Sequence, residues 1–147
     1  MKLILIYSML ILPGWAFSQV KLDSLDKANS ATVKYSYGHR NIPRISYSDS
    51  SITLYSDIRS DHRFFGYEKP DVSSKRLILF SIFTNDVENN PFNCTYGAFY
   101  ETSGMNPKQL RYVSRSKNFI KTRFIDPQQP SAQIYIFFEA KWFRWEK

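Results

Sequence analysis

Two histidines, His39 and His62, are the only imidazoles in the chain, and each is followed by arginine, in Gly38-His39-Arg40 and Asp61-His62-Arg63. Neither has a second histidine at ligand spacing, so a zinc site would have to be assembled from separate loops. A solvent-facing loop histidine is the simpler expectation for both. Asp61 beside His62, with serines scattered through Ser46 to Ser60, has the composition of a hydrolase triad. It lacks the glycine-flanked turn that presents a nucleophile, so no catalytic residue is assigned. A small exported hydrolase using a loop histidine stands as an alternative reading.

The one run of hard oxygen donors is Asn85-Asp86-Val87-Glu88-Asn89-Asn90. Asp86, Glu88 and Asn90 at alternate positions are the candidate ligands for Ca2+, although the glycine and the distal bidentate glutamate of a helix-loop-helix site are missing. A plain polar turn is the favoured reading, and no cofactor is otherwise expected. Cys94 is the single cysteine, so an intramolecular disulfide is excluded and a small buried hydrophobe is expected there.

The strongest chemical pattern is electrostatic. Between Leu110 and Ile125, Leu110, Tyr112, Ile120 and Phe124 occupy even positions, whereas Arg111, Arg115, Lys117, Lys121 and Arg123 occupy odd ones. In a β-hairpin this alternation puts every base on one face. Residues facing each other across the ladder share a face, which requires an odd loop. Ser116-Lys117-Asn118 supplies three residues, with Asn118 suited to the left-handed position. Arg111 then stands opposite Arg123. Like charges across a ladder repel, so either the side chains splay apart or an anion sits between them; a solvated face is the plain reading. A competing local reading makes Asn106 a helix cap with Pro107 first in a helix reaching Val113.

Aromatics are abundant, with 12 Phe, 10 Tyr and 3 Trp. Most are expected in the core. Tyr135, Phe137, Phe143 and Trp145 fall on the outward parity of the C-terminal strand, where burial against a second sheet or an exposed ligand strip would each account for them. Together with the basic hairpin they form the candidate ligand-binding set.

The elements that must position these groups read as strands. Val33, Tyr35 and Tyr37 alternate with polar residues, as do Ile45 with Tyr47 and Ile52 with Leu54. Residues 57–74 read as a long irregular loop. Lys75 to Thr84 is apolar on both faces, the pattern of a covered central strand. Alternation resumes over Thr95 to Thr102, and Ala132 to Trp145 reads as one long strand with Ile134, Ile136, Phe138, Ala140 and Trp142 facing inward. The expected fold is an all-β antiparallel β-sandwich of about seven or eight strands, with a small closed β-barrel as the alternative. An outer-membrane barrel fits less well, because a doubly apolar central strand leaves no polar lumen face.

Before that domain stands a leader. Met1-Lys2, the apolar run from Leu3 to Leu12, the break at Pro13-Gly14 and the small residues of Ala16-Phe17-Ser18 have the layout of a cleavable signal peptide, with the cut expected after Ser18. The run is too short to span a bilayer as a helix, and no cysteine near the cut offers a lipid anchor. Residues 1–18 are therefore read as signal peptide, 19–31 as a polar arm with at most one short helix, and 32–147 as a single β-rich domain. The formal charge of +7 falls by one when Lys2 is removed and stays basic. In a periplasmic or secreted protein that charge favours anionic envelope polymers, glycans or protein partners, not nucleic acid. The expected function is a non-catalytic binding or structural module with no transmembrane helix in its mature form.

Overall fold

Nine strands, three short 3-10 turns and one six-residue helix account for the regular structure of residues 42–59 and 61–146, the part of the chain described by the computed structural model. The signal segment, the arm, the strand expected near Tyr35 and His39 lie outside the described residues. The strands are β1 (Arg44–Ile45), β2 (Ile52–Thr53), β3 (Arg63–Tyr67), β4 (Arg76–Ser81), β5 (Ala98–Phe99), β6 (Gln109–Arg115), β7 (Phe119–Ile125), β8 (Ile134–Glu139) and β9 (Arg144–Trp145), with helix α1 (Thr84–Asn89) between β4 and β5.

They form a six-stranded sheet, in the order β5-β4-β3-β8-β7-β6, and a three-stranded sheet, β2-β1-β9. The architecture is all-β and sandwich-like, as the alternating patterns predict. Two pairings depart from the antiparallel expectation: β1 with β9 and β4 with β5 are parallel. Among the described residues no barrel closes. The β2 segment does touch both edges of the large sheet, through single bridges of Ser51 to Arg111 and of Tyr55 to Glu101. No helix among the described residues is long and apolar enough to cross a membrane.

The main core lies between the sheets. Phe64, Ile78, Phe80, Ile120, Phe124, Ile136 and Phe138 from the large sheet meet Ile45, Ile52, Leu54 and Phe143. Each such side chain contributes about 1.5–3 kcal/mol on burial. The opposite, outer face is covered in part, where Phe92 and Cys94 pack with Phe65, Tyr67, Leu79 and Ala98 in a second buried cluster. Burial pushes the Cys94 thiol up to about 12. The thiolate is the reactive form, so native protein should leave Cys94 unlabelled by Ellman's reagent, with one equivalent released only in denaturant. Stoichiometric labelling of the folded protein would contradict this burial.

Several local expectations are corrected. Residues 57–74 are not one loop, because Arg63 to Tyr67 form β3, buried throughout. Asn85 to Asn90 is not a turn but helix α1 with its C-cap Asn90 in the left-handed region. No helix runs from Pro107 to Val113; Asn106–Pro107 is a cis peptide and β6 begins at Gln109. The long C-terminal strand breaks after Glu139 into a 3-10 turn, Ala140–Trp142, which carries the chain from the large sheet to the small one.

Candidate functional site

The β6–β7 hairpin has the predicted pair: Arg111 stands opposite Arg123, and Leu110 opposite Phe124. The turn differs. Ser116 N–H donates to Phe119 O at 2.8 Å, so the reversal is carried by Lys117 and Asn118, and the register shift is absorbed between Tyr112 and Ser114. Val113 is the extra residue of this bulge, and it flips the parity beyond it. Arg115 therefore faces Ile120, on the core parity, where it sits exposed at the end of the strand. Lys117 is exposed in the turn, apart from the others.

The like-charge conflict is resolved by splaying. Arg111 donates from one Nη to Asp49 Oδ2 and to Asp49 O, each at 2.9 Å, and from the other to Gln109 Oε1 at 2.9 Å. Hydrogen bonds from Ser51 foremost, with Ser46 and Arg111, hold the Asp49 carboxyl well below the usual carboxylate range. Arg123 is left exposed beside Tyr135.

The bases and aromatics that do converge lie on the outer face of the large sheet. Arg123 pairs with Tyr135 and Lys121 with Phe137 across β7 and β8. The Lys121 ammonium sits 3.9 Å from the Tyr135 ring centroid, a cation–π contact. Phe137 pairs with Tyr67 of β3, and Tyr67 with Arg76 of β4. One row, Lys121–Phe137–Tyr67–Arg76, thus crosses four strands. At about 4.8 Å per strand its ends are roughly 15 Å apart along the sheet. Arg76 lies over the rings of Phe65 and Phe92, at 4.3 and 5.4 Å, and among the described residues it has no ion-pair partner.

Beside this row a cleft of about 340 Å³ opens on the same face, lined by Arg59, Asp61, Tyr67, Arg76, Glu139 and Lys141 with Phe65. Its charges are arranged in a chain. Arg59 bridges Asp61 at 2.8 Å and Glu139 at 3.4 Å, Lys141 reaches Glu139 at 2.7 Å, and Trp142 Nε1 donates to Glu139 at 3.3 Å. Burial, with Glu139 nearby, raises the Tyr67 phenol above its ordinary value, so it remains a hydrogen-bond donor.

Other expected site residues go elsewhere. Phe143 is buried in the main core, 5.9 Å from Phe64 and 6.1 Å from Phe138 between ring centroids, because the turn after Glu139 rotates it inward. Trp145 belongs to the small sheet, stacked on exposed Tyr47 at 4.9 Å and edge-on to Tyr112 at 4.8 Å. The candidate calcium ligands do not converge. Asp86 turns inward to Arg63, Asn90 clasps the Cys94 backbone through both ends of its amide, and Glu88 is exposed. Among the described residues no group of three or more His, Cys, Asp and Glu side chains is placed to hold a metal ion.

His62 is not a solvent-facing histidine. It is 6% exposed with a left-handed φ of 55°, held by its N–H to Arg59 O at 3.0 Å, and neither ring nitrogen has a hydrogen-bond partner. Asp61 turns to Arg59 instead of to the imidazole. Sequence reading did not assign Arg59, Tyr67, Arg76, Glu139 or Lys141 to a site, and considered Asp61 only beside His62 as a triad. Only Arg76, heading the doubly apolar strand, and Glu139, the acid within an aromatic run, carried a local signal. Comparison of the chain with protein-family models, with curated proteins and with solved structures found no match.

Proposed function

We propose that the protein is an exported, non-catalytic binding module, released by cleavage after Ser18, that recognises an anionic envelope polymer or glycan through the outer face of its large sheet. The observation that carries this reading is the Lys121–Phe137–Tyr67–Arg76 row, two cations flanking two aromatic residues across four adjacent strands. Such a row gives an extended anion two attachment points with the half-buried Phe137 between them, while buried Tyr67 reaches the surface where it lines the adjoining cleft, and Arg123 with Tyr135 widens the row on one side. The leader composition supports export, and the basic balance supports attraction to anionic surfaces.

The reading is tested by expressing the full chain in a bacterial host that exports proteins. The expected mature N-terminus is Gln19. The purified protein should be retained on dextran-sulfate beads at about 50 mM salt and released by about 500 mM, as a surface-charge interaction requires. Changing both Lys121 and Arg76 to Gln should abolish most of the retention. Retention unchanged in the double variant would show that another surface binds, and no retention by the wild type would remove the polymer-binding reading.

A further inference from the structure

We propose that the cleft bounded by Arg59, Asp61, Tyr67, Arg76, Glu139 and Lys141 is a subsite for a carboxylated sugar residue, an inference that rests on the binding-module reading and narrows its ligand to uronate-type glycans. The charge count of the cleft is the first reason. Three cations, Arg59, Arg76 and Lys141, face two carboxylates, Asp61 and Glu139. A single negative charge matches that surplus of one, whereas a sulfate cluster or a phosphate dianion brings more negative charge than the surplus balances.

The second reason is how the groups are spent. Arg59 and Lys141 already pair with Glu139, and Arg59 also pairs with Asp61. Arg76 is held in place by ring contacts alone, with its planar fork uncommitted to any acid among the described residues. An arginine fork of this kind suits bidentate capture of a carboxylate.

The acids supply the rest of the recognition. A carboxylate has about four acceptor positions. Glu139 receives Arg59 and Trp142 on one oxygen and Lys141 on the other, while Asp61 receives Arg59 on one oxygen and the Arg63 N–H on the other. Both retain acceptor capacity, which sugar hydroxyls can fill as donors. The Tyr67 phenol remains a donor to a ring or carboxylate oxygen. Phe137, half-buried next to Tyr67 in the row, offers a ring face to the apolar side of the neighbouring sugar. The volume, about 340 Å³, lies at the small end of ligand clefts and accommodates one sugar residue of a chain that continues along the row.

Calorimetric titration of the full-chain product with oligogalacturonate, its fully methyl-esterified form and dextran sulfate separates the outcomes. Oligogalacturonate should bind, and esterification, which removes the charge but keeps the sugar, should weaken binding about tenfold or more. Arg76→Gln should cost about tenfold on the acid form, and Lys121→Gln clearly less. Should Arg76→Gln fail to fold, Arg76→Lys, which keeps the stem and charge without the fork, should still weaken the uronate several-fold. Asp61→Asn should weaken oligogalacturonate and strengthen dextran sulfate. If the ester binds as well as the acid, or if dextran sulfate binds more tightly and Arg76→Gln matches Lys121→Gln, the uronate subsite is wrong while the polymer-binding module survives. If none of the three ligands binds, both fall.

Discussion

Asp86→Ala should lower the unfolding free energy by about 3–5 kcal/mol, because it takes from a buried guanidinium the carboxylate that meets it on two prongs. The Arg63 and Asp86 side chains are each 2% exposed and meet at 2.6 Å, Nε to Oδ2. A second guanidinium bond, 3.2 Å from Arg63 Nη2 to Asp86 Oδ1, makes the pair two-pronged, and Ser81 Oγ donates to Oδ2 at 2.5 Å. The guanidinium also lies over the rings of Phe83 and Phe92, 4.7 and 5.0 Å from the two centroids. In a site this buried, taking away the acid removes compensation the guanidinium was folded around, which is why losing Asp86 costs more than the pair is worth. The paired change Arg63→Met with Asp86→Leu removes both charges of this pair together and should recover part of the loss. Urea midpoints at unchanged slope measure both variants, and a cost below about 1 kcal/mol for Asp86→Ala would contradict the account.

Gly66→Ala should cost about 3 kcal/mol, the upper part of the range for overpacking, and lower the melting temperature by roughly 10 °C. A Cβ at Gly66 would come within 3.0 Å of Ile136 Cγ2, Ile78 Cγ2 and Phe138 Cε1 at once. Those atoms belong to the two strands that flank β3, so no single rotamer change relieves the clash. Gly104→Ala is the internal comparison. Its Cβ would meet nothing within 4 Å, and the variant should stay within about 0.5 kcal/mol of wild type. Equal melting temperatures for the two alanine variants would show that the core at Gly66 is looser than its geometry.

These two positions explain what the amino-acid pattern hid. Gly66 and Pro70 read as loop punctuation, so residues 57–74 are expected from the sequence to be irregular. In the folded chain Arg63 is a core residue because Asp86 neutralises it from the next helix, and Gly66 is a strand residue because only a missing side chain lets β4 and β8 close over it. Both reasons are tertiary, and periodicity within one segment carries no trace of them. Where the determinant was local the reading held. The even-position apolar set of β7 faces the core, β4 is buried on both faces, and Arg111 stands against Arg123.

The site was legible to a lesser degree. Lys121, Arg123, Tyr135 and Phe137 could be placed on one surface from alternation alone, because β7 and β8 are regular neighbours along the chain. Tyr67 and Arg76 complete the row from strands that precede them by dozens of residues, through the β3–β8 pairing. Phe143 and Trp145 left the set because the Ala140–Trp142 turn resets parity. Arg115 left it because the bulge at Val113 does the same.

The segment from Ser51 to Ser56 spans the gap between the two outermost strands of the large sheet, with Tyr112 N–H donating to Ser50 O at 2.8 Å at one end and Ser56 N–H to Tyr100 O at 3.1 Å at the other. It works as a buckle. Backbone groups that would otherwise invite another chain to pair are occupied at Arg111 and Tyr112 on one rim and at Tyr100 to Thr102, just past β5, on the other, and the remaining stretch of β6 is kinked by its bulge and tipped with Arg115. Stacking of copies rim to rim, the usual hazard of a small open sheet, is thereby discouraged. A ligand of the proposed kind would then meet side chains on a broad surface, and selectivity would come from charge and ring placement instead of from main-chain pairing.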